Sequence, residues 1–171
     1  MAEQPSPSKP HPTLQFLFVR LPYLITGVIF LVATLINIVN VIGRYVFAHA
    51  IFWAEEVLVF MVIWAVFLSA VSITFSGGHL NMDLFYAKLK SPWKQIINGA
   101  IVVALLVCTL FTAAQSYKVV TLYLRNGSVS TAAEIPLYIP HAALLVGFSL
   151  MALAVMVRFK DYINGTFGKA E

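Results

Sequence analysis

The amino-acid sequence predicts an all-α integral membrane protein with four transmembrane helices and a short amphipathic cytoplasmic-surface helix between the second and the third. Hydrophobic residues make up 60% of the chain and charged residues only 11%, whereas an ordinary soluble domain carries about 25% charged residues. Four apolar runs lack Asp, Glu, Lys and Arg, and each approaches the ~20 residues that cross a bilayer as a helix. The surface of such a chain is therefore expected to face lipid.

The order of segments along the chain follows from these runs. Residues 1–19 are predicted to be a disordered cytoplasmic tail, because residues 1–12 are polar and contain four prolines. A four-helix membrane domain is predicted over residues 20–160, and a second cytoplasmic tail over residues 161–171. The first span is too long for the apolar core of a signal peptide. The four spans are predicted at about residues 21–42, 53–75, 94–117 and 135–157.

The orientation in the membrane is predicted from the lysines and arginines. With four spans, both termini lie on one side together with the loop between the second and third spans. That side carries eight basic residues, and the other carries three, which are Arg44, Lys118 and Arg125. Because basic loops stay in the cytoplasm, both termini are predicted to be cytoplasmic. The basic residues are scattered and form no single face, so the sequence does not predict nucleic acid as a partner.

A polar stripe lies on one face of the first span. Its residues recur at steps of three and four and are Thr34, Asn37, Asn40 and Arg44. An asparagine in hydrocarbon is costly unless it finds a hydrogen-bonding partner, so Asn37 and Asn40 could join helices. They could also line a path for a substrate or an ion. A carrier usually needs an ionisable group near the middle of the membrane, and this stripe offers none before Arg44.

Charged residues mark the outer start of the second span. Glu55 and Glu56 lie in its first turn, where the helix dipole favours carboxylates. One of them could pair with Arg44 across the short loop and tether the start of the helix. The same charges, with the interfacial aromatic Trp53, could instead form a rim that docks a partner.

The segment after the second span is predicted to be the short amphipathic helix. It carries one apolar stripe at positions i, i+3, i+4 and i+7, formed by Met82, Phe85, Tyr86 and Leu89. Such a helix is expected to lie on the inner membrane surface. His79 and Asp83 are four residues apart and are predicted to form a structural hydrogen bond. Two ligands are too few for a zinc site.

The sequence predicts no cofactor and no enzymatic activity. A haem would need facing histidines within the spans, and none of the four histidines lies near mid-membrane; they are His11, His49, His79 and His141. Cys108 is the single cysteine, which excludes an intramolecular disulfide. No nucleophile–base arrangement and no phosphate-binding loop is present in the sequence.

Four motifs between Gly43 and Tyr86 carry a resemblance to a known family. They are Gly43-Arg44-Tyr45-Val46-Phe47, Trp53-Ala54-Glu55-Glu56, Phe67-Leu68-Ser69-Ala70 and Gly77-Gly78-His79-Leu80-Asn81-Met82-Asp83. In order and spacing the chain resembles the small membrane (Q, DctQ-type) subunit of tripartite ATP-independent periplasmic (TRAP) transporters. It departs from that family at Ser69, where glycine is common, and at Phe75, where arginine is common.

The resemblance implies a division of labour among three proteins in a bacterial inner membrane. A periplasmic binding protein would capture an organic acid anion, and a large multi-span subunit would carry it inward by a sodium-driven elevator motion. This chain would be a non-catalytic scaffold, with Arg44, Glu55 and Glu56 facing the large subunit or the binding protein. Two alternatives remain open, namely a self-sufficient homo-oligomeric carrier and a membrane anchor of a respiratory complex.

Overall fold

The computed structural model of the chain describes residues 11–78, 91–164 and 167, and these residues form five helices. They are α1 (Pro12–Val46), α2 (Ala54–Phe75), α3 (Ser91–Asn126), α4 (Tyr138–Val157) and α5 (Phe159–Asn164). The first four are long and apolar enough to cross a membrane, so the predicted all-α fold with four spans is confirmed. The predicted surface helix, with His79 and Asp83, lies outside the described residues.

The helical region extends beyond the predicted membrane domain at both ends. Helix α1 begins at Pro12, so the segment expected to be a disordered tail up to residue 19 is helical over its last eight residues. Phe18 explains this start, because its ring is 2% exposed and stacks on Phe75 with centroids 5.0 Å apart. At the other end, the tail expected from residue 161 begins inside α5, where Tyr162 is fully buried. Both extensions bury aromatic area, which hydropathy over a span-length window does not register.

The four spanning helices lie in a row. Within the described residues, α1 packs mainly on α2, α2 on α4, and α4 on α3, which places α1 and α3 at the two ends. The two inner helices have 22 and 20 residues, or roughly 30 Å each. The two outer helices have 35 and 36 residues, or about 50 Å each. A row, unlike a closed bundle, leaves both broad faces of its helices open to lipid or to another protein.

Small polar side chains join α1 to α2. The Thr26 hydroxyl donates to the Ala65 carbonyl at 3.4 Å and accepts from the Ser69 hydroxyl at 3.3 Å. Nearer the N-terminal end of α1, the Ser72 hydroxyl donates to the Val19 carbonyl at 3.4 Å. Serine and threonine commonly bond across helices in membranes, where water cannot compete. Ser69, which departs from the family resemblance, therefore has a packing role in this chain.

The other two contacts of the row depend on close packing. Helix α4 meets α2 at Gly147, where a Cβ atom would lie 2.7 Å from the Phe67 Cβ, so only glycine fits. Helix α3 meets α4 through one stripe of buried residues at helical spacing, which are Asn98, Val102, Thr109, Ala113, Ser116 and Val120. The remaining surface of α3 is largely exposed. The core is thus a set of narrow seams between neighbours.

Candidate functional site

The ends of the spans near Arg44 and Arg158 are here called outer and inner, after the orientation predicted from the sequence. The outer end of α1 is folded back toward α2 by a short connection. A backbone hydrogen bond from the His49 N–H to the Gly43 carbonyl, at 2.9 Å, closes the turn. Ala48 takes the left-handed conformation there, with φ of 51°. The Asn40 Oδ1 accepts the Ile51 N–H at 2.9 Å, which pins the end of the connection to α1. This geometry carries the start of α2 beside the last turn of α1.

Arg44 and Glu55 form an ion pair across this connection. The guanidinium of Arg44 contacts the Glu55 carboxylate, with side chains 47% and 68% exposed. An ion pair with that exposure adds little stability, at most about 1 kcal/mol. Its charges remain accessible to a partner at the outer edge. The pair therefore joins two of the predicted site residues, and both side chains stay exposed.

Glu56, the adjacent carboxylate, has a different partner. Its oxygens accept the backbone N–H of Ala132, at 3.1 Å, and that of Ala133, at 2.8 Å. The Ser130 side chain interacts with the same carboxylate. Successive backbone N–H groups pointing at one oxygen pair make an anion-binding nest. Glu56 fills this nest and so fastens the loop between α3 and α4 onto α2.

The loop fastened by Glu56 has its own internal order. Val129 and Pro136 form an isolated antiparallel bridge, and the Ser130 N–H donates to the Ile135 carbonyl at 2.9 Å. The Ser130 hydroxyl accepts the Ile135 N–H at 3.2 Å. The sequence did not reveal this loop as a partner of Glu56. A serine and two alanines 74 to 77 residues away give no local signal for a carboxylate site.

Trp53 belongs to an exposed group of aromatic side chains at the same edge. It is the residue just before α2 and is 46% exposed. Its neighbours along the chain are more exposed still, and they are Tyr45, Phe47 and Phe52. Aromatic rings of this kind favour the boundary between lipid and water. Their position just outside the spans fits such a boundary.

The two asparagines of the predicted polar stripe have different surroundings. Asn40 is 3% exposed and bonds to Ile51, so it serves the internal structure. Asn37 is exposed, and its side chain forms no hydrogen bond with the described residues. Thr34, also exposed, turns its hydroxyl back to the Phe30 carbonyl at 2.7 Å. Asn37 is thus the member of the stripe whose side chain is exposed and has no hydrogen-bonding partner among the described residues.

The inner end holds a charged cluster that the sequence did not predict as a site. Arg158, 6% exposed, follows α4 and stacks over Phe75, with its Cζ 5.3 Å from the ring centroid. Its Nε lies 2.7 Å from the Asp161 Oδ2, although the N–H is poorly aligned with that oxygen. The guanidinium also lies 4.9 Å from the Phe167 ring. In the sequence, the i, i+3 spacing of Arg158 and Asp161 was the feature that could have indicated this pair.

Two further contacts lock α5 against the spans. The Tyr162 hydroxyl donates to the Thr74 carbonyl, and burial raises the pKa of Tyr162 to about 12. The Asn98 amide donates to the Ile163 carbonyl at 3.1 Å. Gly77 makes room for this cluster, since a Cβ there would lie 2.5 Å from the Phe167 ring. The inner ends of α2, α3 and α4 are therefore tied together by the C-terminal segment.

The described residues show no grouping that could hold a metal ion. No three His, Cys, Asp or Glu side chains are gathered within residues 11–78, 91–164 and 167. The ring of His141 packs on Tyr123 with centroids 4.7 Å apart, and its Nδ1 lies 2.8 Å from the Leu137 carbonyl. That histidine has a structural environment at the start of α4.

These features define a multi-pass α-helical membrane protein whose charged side chains gather at the two ends of the spans. Comparison with known families makes the assignment more specific. The model of the DctQ component of tripartite ATP-independent periplasmic transporters matches residues 33–164. Since this match covers more than half of the chain, the protein belongs to the DctQ family of TRAP transporter components.

A curated relative gives a view of the same region in a longer protein. The isethionate TRAP transporter permease protein DctMQ of Oleidesulfovibrio alaskensis (strain ATCC BAA-1058 / DSM 17464 / G20) is 27% identical over 139 residues. The match covers 79% of this chain and 22% of that relative. The chain therefore spans about a fifth of the length of the relative.

Proposed function

We propose that this chain is a non-catalytic scaffold of a TRAP transporter, which holds a larger transport subunit in the membrane and helps to present a periplasmic binding protein to it. The observation that carries the proposal is the placement of charge. Between Arg44 at one end and Arg158 at the other, the described spans expose apolar side chains and place no Asp, Glu, Lys or Arg at mid-membrane. A path for an anion or a coupling ion would need such groups or a polar lining.

The proposed partners follow from the family and from the relative. The name of the relative joins M and Q components, and the region similar to this chain is 22% of its length. This relative therefore supports a large membrane subunit as the partner. The transported substrate is proposed to be an organic acid anion, and its entry to be driven by sodium. The complex is proposed to lie in a bacterial inner membrane with both termini of this chain in the cytoplasm, and the distribution of basic residues supports this orientation.

The outer edge is proposed to be the side that meets the other components. Arg44 and Glu55 keep exposed charges there, and Trp53 lies beside them at the membrane boundary. Glu56 supports this surface by holding the loop between α3 and α4. On the inner side, His79 and Asp83 are proposed to fix a surface helix and so to aid assembly.

Uptake by purified components in liposomes tests the proposal. The chain, the large subunit and the binding protein together are expected to accumulate the organic anion under an inward sodium gradient, whereas this chain alone is expected to accumulate none. Uptake by this chain alone would contradict the scaffold proposal and favour a self-sufficient carrier. A haem Soret band in the purified chain would instead favour a respiratory anchor.

A further inference from the structure

We propose that one face of the α1–α2 pair, here called the Asn37 face, is where the large subunit docks; this inference rests on the proposed function. The face consists of residues from both helices, which are Asn37, Val41, Val59, Val62, Val66 and Ile73. Each of these side chains is exposed in the isolated chain. The partner fitted to it is a transmembrane helix that offers a hydrogen-bonding group at the level of Asn37.

Helix α2 has a single open stripe, which sets the position of this face. Its exposed residues are Glu55, Val59, Val62, Val66 and Ile73. The intervals between them are four, three, four and seven positions in the sequence. Residues at these steps lie on one side of a helix. The rest of α2 is buried or half-buried by α1, α4 and its own neighbours. Any protein that packs on α2 in the membrane must therefore approach along this stripe.

The contact between Arg44 and Glu55 shows that Asn37 lies on the same side. Glu55 begins the open stripe of α2 and pairs with Arg44 of α1. Asn37 precedes Arg44 by seven residues, or two turns, so both side chains leave α1 in nearly the same direction. Val62 follows Glu55 by the same seven residues. Asn37 and Val62 therefore lie at one depth, about 10 Å below the outer ion pair.

The chemistry of this surface favours protein over lipid. Asn37 has a polar amide without a hydrogen bond inside the described chain, and hydrocarbon cannot supply one. Asparagine in a span commonly bonds to a neighbouring helix. The valines beside it are short and branched, so they form a flat surface on which a second helix can pack closely. Helix α1 also has the least covered span, with 17% of its most apolar stretch buried, against 39% for α4.

The DctMQ relative is the reason why the large subunit, rather than a second copy of this chain, is proposed as the partner of the Asn37 face. In that protein the region similar to this chain is 22% of one polypeptide named DctMQ. The rest of the polypeptide is held beside it by the covalent link, so a contact between the two parts needs no self-association. A second copy of this chain remains a distinct outcome of the experiment below.

Photocrosslinking from two matched positions tests this inference in membranes of a host that supplies the partners. Val62→p-benzoylphenylalanine places the probe on the Asn37 face, and Leu35→p-benzoylphenylalanine places it at a similar depth on the opposite side of α1. Leu35 is 63% exposed and lies about 160° around the helix from Asn37. We expect an adduct with the large subunit from Val62, several-fold stronger than from Leu35.

The control separates a failure of this inference from a failure of the proposed function. The unmodified chain is first purified from the same membranes, and absence of a larger multi-span protein would contradict the proposed function and this inference with it. If the large subunit is present, equal adducts from the two positions, a stronger adduct from Leu35 or no adduct from Val62 would overturn the Asn37 face alone. An adduct at twice the 18.9 kDa mass of the chain would overturn it in favour of a second copy.

A substitution at Asn37 supplies an independent readout. Asn37→Leu is expected to weaken retention of the large subunit by about threefold, the effect of one typical hydrogen bond between membrane helices. Thermal unfolding of the purified variant chain should be unchanged, because Asn37 forms no hydrogen bond within the described residues. Asn40→Leu is the matched control, and it should lower thermal stability because Asn40 holds Ile51. Unchanged retention in Asn37→Leu would remove Asn37 from the interface.

Discussion

Two adjacent carboxylates at the outer edge show how position on a helix divides residue roles. Glu55 points to the exposed side and meets Arg44, while Glu56 points toward the loop between α3 and α4. Neighbours in a helix are about 100° apart around the axis, so two glutamates in sequence serve two separate contacts. The contact between Arg44 and Glu55 leaves charge at the surface. The Glu56 carboxylate instead orders the backbone of the loop between α3 and α4.

Alanine substitutions at the two positions are expected to have different effects on that loop. Glu56→Ala removes the acceptor for the Ala132 and Ala133 N–H groups, so hydrogen exchange at these amides should become faster. Glu55→Ala is the matched control and should leave their exchange unchanged, because its partner is Arg44. Amide exchange followed by mass spectrometry over residues 127–137 measures both. Equal exchange in the two variants would show that Glu56 does not anchor the loop.

The sequence predicts these residue roles only in part. A pair between Arg44 and one of the two glutamates could be anticipated, because Arg44 and Glu55 are only 11 positions apart and one tight connection joins their helices. The contact of Glu56 with Ala132 spans 76 residues and depends on how α4 places its preceding loop. The distinction between Asn37 and Asn40 also required the structure, because helical spacing puts both on one face and cannot tell which edge of that face α2 covers.

At the scale of elements, the contact between α2 and α4 depends on Gly147, which has no side chain to separate the two helices. Gly147→Ala would bring a Cβ to within 2.7 Å of the Phe67 Cβ, and overpacking of this kind typically costs about 1–3 kcal/mol. Gly27→Ala is the matched control, because no atom lies within 4 Å of its added Cβ. That change should be neutral or stabilising by up to about 1 kcal/mol. Thermal unfolding in detergent distinguishes them, and equal midpoints would contradict the close contact at Gly147.

The C-terminal helix α5 is held by the charged cluster at the inner end. Asp161→Ala should destabilise the chain by about 3 kcal/mol, because it leaves the Arg158 guanidinium, 6% exposed, without its carboxylate. This value is at the low end for buried pairs, since the Asp161 side chain keeps 18% exposure. Lys160→Ala, at an exposed neighbouring position, is the control. A melting temperature equal to that of the control would mean that the pair contributes nothing to the inner end.

The elements themselves are the part of the structure most accessible from sequence. Hydropathy locates each span because lipid demands a run of apolar residues, and all four runs became helices. The helical segment before residue 20 and helix α5 were missed because contacts with residues distant in sequence hold them, such as those of Phe18 with Phe75 and of Tyr162 with Thr74. The order of helices in the row was also inaccessible, since every span is apolar around most of its surface.

At the scale of the whole molecule, the row of helices suits a protein that offers surface to another. Helices α1 and α3 at its ends are covered along narrow seams, and the charged clusters tie the helices together at the outer and inner edges. These contacts within the chain join neighbouring spans and leave broad apolar faces available for a partner.

The orientation of the whole molecule can be tested by labelling single cysteines. In a Cys108→Ala background, Thr131→Cys lies on the outer loop and Lys160→Cys on α5, both at exposed positions. A membrane-impermeant maleimide should label Thr131→Cys in intact cells and Lys160→Cys only after the membrane is opened, because basic loops favour the cytoplasm. The reverse pattern would contradict cytoplasmic termini.

We propose that this chain works as one part of a larger membrane assembly and carries no substrate alone. Affinity purification of the tagged chain from native membranes in mild detergent, followed by determination of the molar ratio of the proteins recovered, tests it most directly. The expected result is a much larger multi-span membrane protein in equal molar amount. Recovery of this chain alone, or only as copies of itself, would contradict the claim.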